Sequence, residues 1–99
     1  MAQPIYKVWL ANWKDAWYKL SPEERQKIGG QVEAALKKVG GEEIVMCFSG
    51  WSSETWDFWG VEKFPDIEAA LTHGRLLYEL NWHHYIEVLS HLGVLPPQT

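Results

Sequence analysis

Two helix-start signals divide this chain into matching halves, and that division limits the folds open to it more than any other feature. Ser21-Pro22-Glu23-Glu24 is the first: Ser21 suits the N-cap, Pro22 the first helical position, and Glu24 closes a capping box. Phe64-Pro65-Asp66 is the second. Ahead of the first stands Ile5–Trp13, a short β-branched and aromatic stretch that reads as a strand, followed by a connection over 14–20. Behind it, Ile28, Val32, Ala35, Leu36 and Val39 recur at helical spacing with Lys, Gln and Glu opposite, and Gly40-Gly41 ends the helix. Gly29-Gly30 inside that helix weakens it by roughly 1 kcal/mol per glycine relative to Ala, so the pair is expected to permit close packing. Ile44–Trp51 and Thr55–Glu62 read as strands about the turn Ser52-Ser53-Glu54, and the second helix runs to about Leu80. Tyr85–Leu92 is a fourth strand, and the tail Gly93-Val94-Leu95-Pro96-Pro97 carries prolines that can lie only at an edge.

The predicted order is βαββαβ, an α+β ferredoxin-like arrangement with a four-stranded antiparallel sheet and both helices on one face. With 99 residues there is room for one domain, spanning 1–99. The net charge of −4 argues against a nucleic-acid partner held by phosphate neutralisation. RNA-recognition modules share the order of elements, but the third strand lacks their basic-Gly-aromatic motif. Cys47 is the single cysteine, which rules out an intramolecular disulfide and fits a reducing compartment. The opening residues show no basic region followed by an apolar core, and no apolar run approaches the ~18 residues of a membrane span. A cytoplasmic protein without a membrane partner is expected.

Strand alternation sorts the side chains into two sets. Tyr6, Val8, Leu10, Ile44, Met46, Phe48, Phe58, Ile86 and Val88 are almost wholly apolar and suit the layer beneath the helices. Lys7, Trp9, Ala11, Trp13, Val45, Cys47, Ser49, Trp51, Asp57, Trp59, Val61, Tyr85, Glu87 and Leu89 mix indoles with ionisable groups. Seven Trp in the chain is an unusual number, and several of them bare on one face would form a patch that monomers seldom display. A second copy of the sheet is the simplest cover, which predicts a two-fold homodimer. Such an enclosed aromatic space either packs solid or takes a small apolar or aromatic molecule. The second helix adds to this: its apolar residues span ~220°, too wide for one sheet, and His73 falls near the middle of that arc. Such a histidine serves either as a packed residue or as a base or ligand poised by burial.

The βαββαβ order, the stretch Phe64-Pro65-Asp66-Ile67-Glu68-Ala69-Ala70-Leu71 and the closing Tyr85-Ile86-Glu87-Val88-Leu89 resemble the dimeric α/β-barrel superfamily. That group includes muconolactone isomerase-like, antibiotic-biosynthesis and haem-degrading monooxygenase-like proteins. The resemblance implies a homodimer with a pocket in each protomer between sheet and helices, and the chain lacks a chlorite-dismutase-like extension. It also implies a role for Asn12, which matches the first-strand asparagine of the monooxygenases. His73 matches in its element the helical histidine of the haem branch, and Trp59 or Trp56 the pocket tryptophan.

The functional expectation is a homodimeric small-molecule-binding barrel protein, acting as a cofactor-independent isomerase, cyclase or monooxygenase or as a non-catalytic carrier or sensor. In the catalytic version His73 or Asp57 is the general base, Tyr85 and Asn12 hold a carbonyl or enolate oxygen, and Trp9, Trp51 and Trp59 hold the ring. No cofactor is required, haem through His73 being the alternative. No metal site is expected, since His83, His84, Glu87 and His91 point apart along a strand. Cys47 reads as structural, because no His is placed to activate it.

Overall fold

The computed structural model describes residues 3–97, so Met1 and Ala2 of the opening segment lie outside the described residues. In chain order the elements are β1 (Ile5–Trp13), α1 (Asp15–Tyr18), α2 (Pro22–Lys38), β2 (Glu42–Phe48), β3 (Phe58–Phe64), α3 (Ile67–Glu79), a 3-10 turn (Trp82–His84) and β4 (Ile86–Gly93). The four strands form one antiparallel sheet in the order β2-β3-β1-β4. This is the ferredoxin-like topology expected from the sequence.

Both helix starts form as their residues dictate. The Ser21 hydroxyl accepts from the Glu24 N–H at 3.1 Å, and the Glu24 carboxylate accepts from the Ser21 N–H at 3.0 Å. At α3, Asp66 accepts from the Ala69 N–H at 2.8 Å. The hairpin is looser than its sequence suggests: β2 ends earlier, at Phe48, and β3 begins later, at Phe58, leaving a nine-residue loop over 49–57. A bulge between Glu43 and Val45 shifts the β2–β3 register. Gly29 and Gly30 have nothing within 4 Å of where a Cβ would stand, so they do not serve the close packing expected of them.

The register corrects one strand of the face assignment. Ile5 pairs with Phe64, Lys7 with Glu62, Trp9 with Gly60 and Ala11 with Phe58, and the first of these pairs lies under the helices with Leu36, Val39, Ala69 and Ala70. So Lys7, Trp9, Ala11 and Trp13 face the helices with Phe58, Ile86 and Val88, while Tyr6, Val8 and Leu10 face away with Val45, Cys47, Trp59, Val61 and Leu89. Both sides of β1 carry large apolar groups, so alternation revealed its period without its phase.

The helices cover the sheet incompletely. Met46 and Phe48 on the helix side of β2 are 60% and 69% exposed, and Ile67, Leu71 and Tyr78 of α3 are exposed as well. The second cover that the wide apolar arc of α3 calls for is thus not supplied by the protomer. The accessible surface is 7023 Å², about 1,200 Å² more than the roughly 5,800 Å² of a compact monomer of 11.5 kDa.

Candidate functional site

The pairing of β1 with β3 stacks three cross-strand pairs on the helix side of the sheet: Ile5 with Phe64, Lys7 with Glu62, and Trp9 with Gly60. The Lys7 ammonium stands 3.8 Å from the Glu62 carboxylate, and both side chains are mostly buried, at 17% and 14% exposure. Over this layer α3 lays His73, which is 2% exposed and whose ring centroid is 5.1 Å from that of Phe64. The two ring nitrogens of His73 and the indole nitrogen of Trp9 are buried without a hydrogen-bond partner among the described residues.

Burial shapes the charge states here. It pushes the imidazole of His73 down to about 4, and the nearby Lys7 charge acts in the same direction, so the ring is neutral at neutral pH. Burial also raises the Glu62 carboxyl above its ordinary value; Lys7 opposes this, while Glu43, opposite it on β2, adds to it.

An aromatic wall continues from Trp9 toward one end of the sheet. Trp9 meets Phe58 edge-on at 5.7 Å, and Phe58 lies 5.2 Å from Trp13. Trp13 stacks on Trp17 of α1 at 3.9 Å, and Trp82 stands edge-on to both. Arg25 of α2 locks Trp17 in place, donating to its carbonyl at 3.2 Å with the guanidinium over the ring.

The residues singled out from the sequence are dispersed. Of them, Trp9 faces the helices from β1, and His73 packs from α3 onto Phe64. Asn12 sits on the opposite face, where its amide donates to the Thr55 carbonyl at 2.7 Å and accepts from the Asp57 N–H at 2.8 Å, which pins the 49–57 loop and uses both ends of the amide. Asp57 is exposed, and its carbonyl accepts from Ser49 at 2.7 Å. Tyr85 belongs to the aromatic wall, edge-on to Trp17 at 6.3 Å. Trp59 faces away from the helices beside Leu10 and Cys47, and Trp51 is 83% exposed in the loop. The three tryptophans therefore do not line one space.

From the sequence Lys7 was expected only as a charge among the indoles of the mixed face, and Glu62 was not singled out. Their only signal is that they oppose each other in a pairing that does not exist until β1 and β3 are neighbours. Among the described residues no group of three or more His, Cys, Asp or Glu is placed to hold a metal.

Two open depressions lie elsewhere. One of about 290 Å³ lies between α2 and α3, lined by Ala35, Leu76 and Leu80 among others; one of about 320 Å³ lies on the far face against Tyr6, Val8, Val61 and Leu95. His73 has the donor character of an axial haem ligand, being neutral and unpartnered. Phe64 nonetheless packs against it, and neither depression reaches it, so the protomer offers no room for a macrocycle there.

Fold and site together define the class: a ferredoxin-like α+β protein with a polar layer buried between sheet and second long helix. No family model matches the chain, and neither does any curated relative. Solved structures do. A mutant chlorite dismutase from Candidatus Nitrospira defluvii is similar at TM-score 0.75 and 18% identity over 98% of this chain and 42% of that one. A haem-binding protein from Thermus thermophilus is similar at TM-score 0.65 and 19% identity, covering 95% of this chain and 40% of that one. SnoaB, a cofactor-independent oxygenase from Streptomyces nogalater, is similar at TM-score 0.56 and 13% identity, covering 99% and 97%. The chain thus spans under half the length of the first two and almost all of the third. These likenesses show a shared fold, the ferredoxin-like arrangement expected from the sequence. No helix among the described residues is long and apolar enough to cross a membrane.

Proposed function

We propose that the chain is a homodimeric small-molecule-binding protein whose ligand lies between the sheet and α3, against Trp9 and His73. One observation carries this reading: three buried nitrogens without a protein partner, on two side chains of one layer. Each unsatisfied buried polar atom costs about 1–3 kcal/mol, and native structures hold few of them, so their presence between sheet and helices favours a site used by a bound molecule. The aromatic wall supplies the apolar surroundings typical of such sites.

The second copy is supported by the far face of the sheet, where Val8, Val45 and Leu89 are 36%, 39% and 46% exposed. The surface excess of about 1,200 Å² exceeds the ~800 Å² that a standard interface buries per partner.

Titration with 4-nitroanisole, an uncharged aromatic probe, tests the ligand site by NMR. The Trp9 indole N–H, assigned with Trp9→Phe, should shift saturably while that of Trp51 stays put. Movement of Trp51 alone would end this reading.

A further inference from the structure

Helix α3 carries an apolar stripe that the protomer leaves uncovered. Ile67, Leu71, Gly74 and Tyr78 recur at spacings of four, three and four, so they stand in one line along the helix. Leu71 is 62% and Tyr78 79% exposed, and a Cβ at Gly74 would meet nothing within 4 Å. Leu76 and Leu80, which line the depression shared with α2, lie about half a turn round the helix from this stripe, so it faces away from α2. Tyr78 instead lies 6.2 Å from His83, in the turn that opens β4, and Leu92, on the helix side of β4 opposite Lys7, is exposed. The stripe therefore overlooks β4, one edge of the sheet. The two edges differ in kind. The β2 edge has a bulge and opens with Glu42 and Glu43, devices that keep other strands away. The β4 edge keeps an unbroken register with β1 and holds neither Lys nor Pro.

We infer that this side of the molecule binds a second copy of the chain edge to edge, independently of the ligand site: β4 pairs antiparallel with the partner's β4, and the two α3 helices pack antiparallel above them about the same two-fold axis. Charge selects both the occupant and its direction. Glu68 and Arg75 are exposed on the same flank of the stripe, and antiparallel helices bring like flanks together. With the axis between Leu71 and Gly74, Arg75 comes within about 3 Å, along the helix, of the partner's Glu68, and the contact occurs twice. Leu71 then meets the space beside the partner's Gly74, and Ile67 meets the partner's Tyr78. Arg75 also holds Glu79 of its own helix at 3.9 Å, so the flank runs negative, positive, negative. Parallel helices would set this flank against Ala70 and Leu77 instead, where no charge answers it. One stripe and one strand edge offer fewer groups than the roughly 20–30 residues a side of a standard interface, so the contact is weak, forming at about millimolar protein in addition to pairing through the far face.

Sedimentation equilibrium at about 10 μM and about 1 mM protein tests this. The weight-average mass of wild type should rise by about half or more between the two concentrations. Leu71→Lys and Arg75→Glu, both at exposed positions, should keep the wild-type circular dichroism and weaken the association about tenfold or more, which removes the rise. Adding Glu68→Arg to Arg75→Glu exchanges the two charges and should restore it. Leu89→Lys, which blocks the far face, should show the same proportional rise from a lower starting mass, so loss of far-face pairing and loss of this contact are read separately. A wild-type mass equal at both concentrations would overturn the inference. So would a rise that persists in Leu71→Lys and Arg75→Glu, or a charge-exchanged double variant that does not regain it.

Discussion

The indole of Trp9 lies across Gly60: a Cβ at position 60 would fall 2.5 Å from Cζ2 of Trp9 and 2.9 Å from its nitrogen. Because the two residues are paired directly across β1 and β3, the absent side chain of one makes the seat for the ring of the other. Gly60→Ala should therefore displace Trp9 and cost about 1–3 kcal/mol, as overpacked positions do. The thermal midpoint measures the cost, and the Trp9 indole resonance reports the displacement. Gly74→Ala, where nothing lies within 4 Å, is the control and should be neutral or stabilising.

His73 gives the fold a pH dependence of known sign. Its folded value, pushed down to about 4 by burial and Lys7, lies below the 6.5 of an ordinary imidazole, so between these values the unfolded chain binds more protons. Stability is complete above pH 6.5 and falls as pH drops toward 4, by at most about 3 kcal/mol. Glu62, raised in the folded state, acts in the opposite sense, losing stability as pH rises through its folded value. The difference between wild type and His73→Leu isolates the imidazole. At neutral pH the variant should be no less stable, since it removes two unpartnered nitrogens, and its denaturation midpoint should be flatter with acid. Equal slopes in the two proteins would refute this.

The Lys7–Glu62 pair predicts strong non-additivity. Lys7→Met alone leaves a buried carboxylate uncompensated and should cost about 3 kcal/mol, whereas Lys7→Met with Glu62→Leu should restore most of that loss. Urea unfolding of the single and double variants completes the cycle. If the two changes are additive, the ions do not interact as their burial implies.

Gly29 and Gly30 occupy helix positions with open space around them. Substituting either by Ala should stabilise the protein by about 0.5–1 kcal/mol through backbone entropy and helix propensity. A drop in melting temperature would mean that a partner approaches α2 at these residues.

Leu89 lies opposite Leu10 on the far face of the sheet. Light scattering at micromolar concentration should give about twice 11.5 kDa for wild type, and Leu89→Lys should give a monomer of unchanged circular dichroism, because an unpaired ammonium at the centre of an interface is costly. A monomeric wild type would remove the dimer.

Much of this protein is local, and was legible for that reason. The capping box at Ser21 and Glu24, the N-cap at Asp66 and the helix stop at Gly40 each depend on residues within a few positions of one another. The order of elements follows from such signals, and the sheet topology follows from the order because few arrangements satisfy it. The burial of His73 was legible too, as the centre of an apolar arc.

The site was another matter. Asn12 looked like a group for a ligand oxygen, yet a loop 43 residues away in sequence claims both ends of its amide. Trp9, Trp51 and Trp59 looked like one aromatic set, but they divide between two faces and a loop. Lys7 and Glu62 lie 55 positions apart in the sequence and meet only through the β1–β3 register. The chain by itself determined which residues of β1 share a face, because alternation is a property of any strand. Which of those faces met the helices was decided by tertiary pairing: Ile5 and Phe64 are buried together beneath Leu36, and the shared register carries Lys7 and Trp9 in behind them.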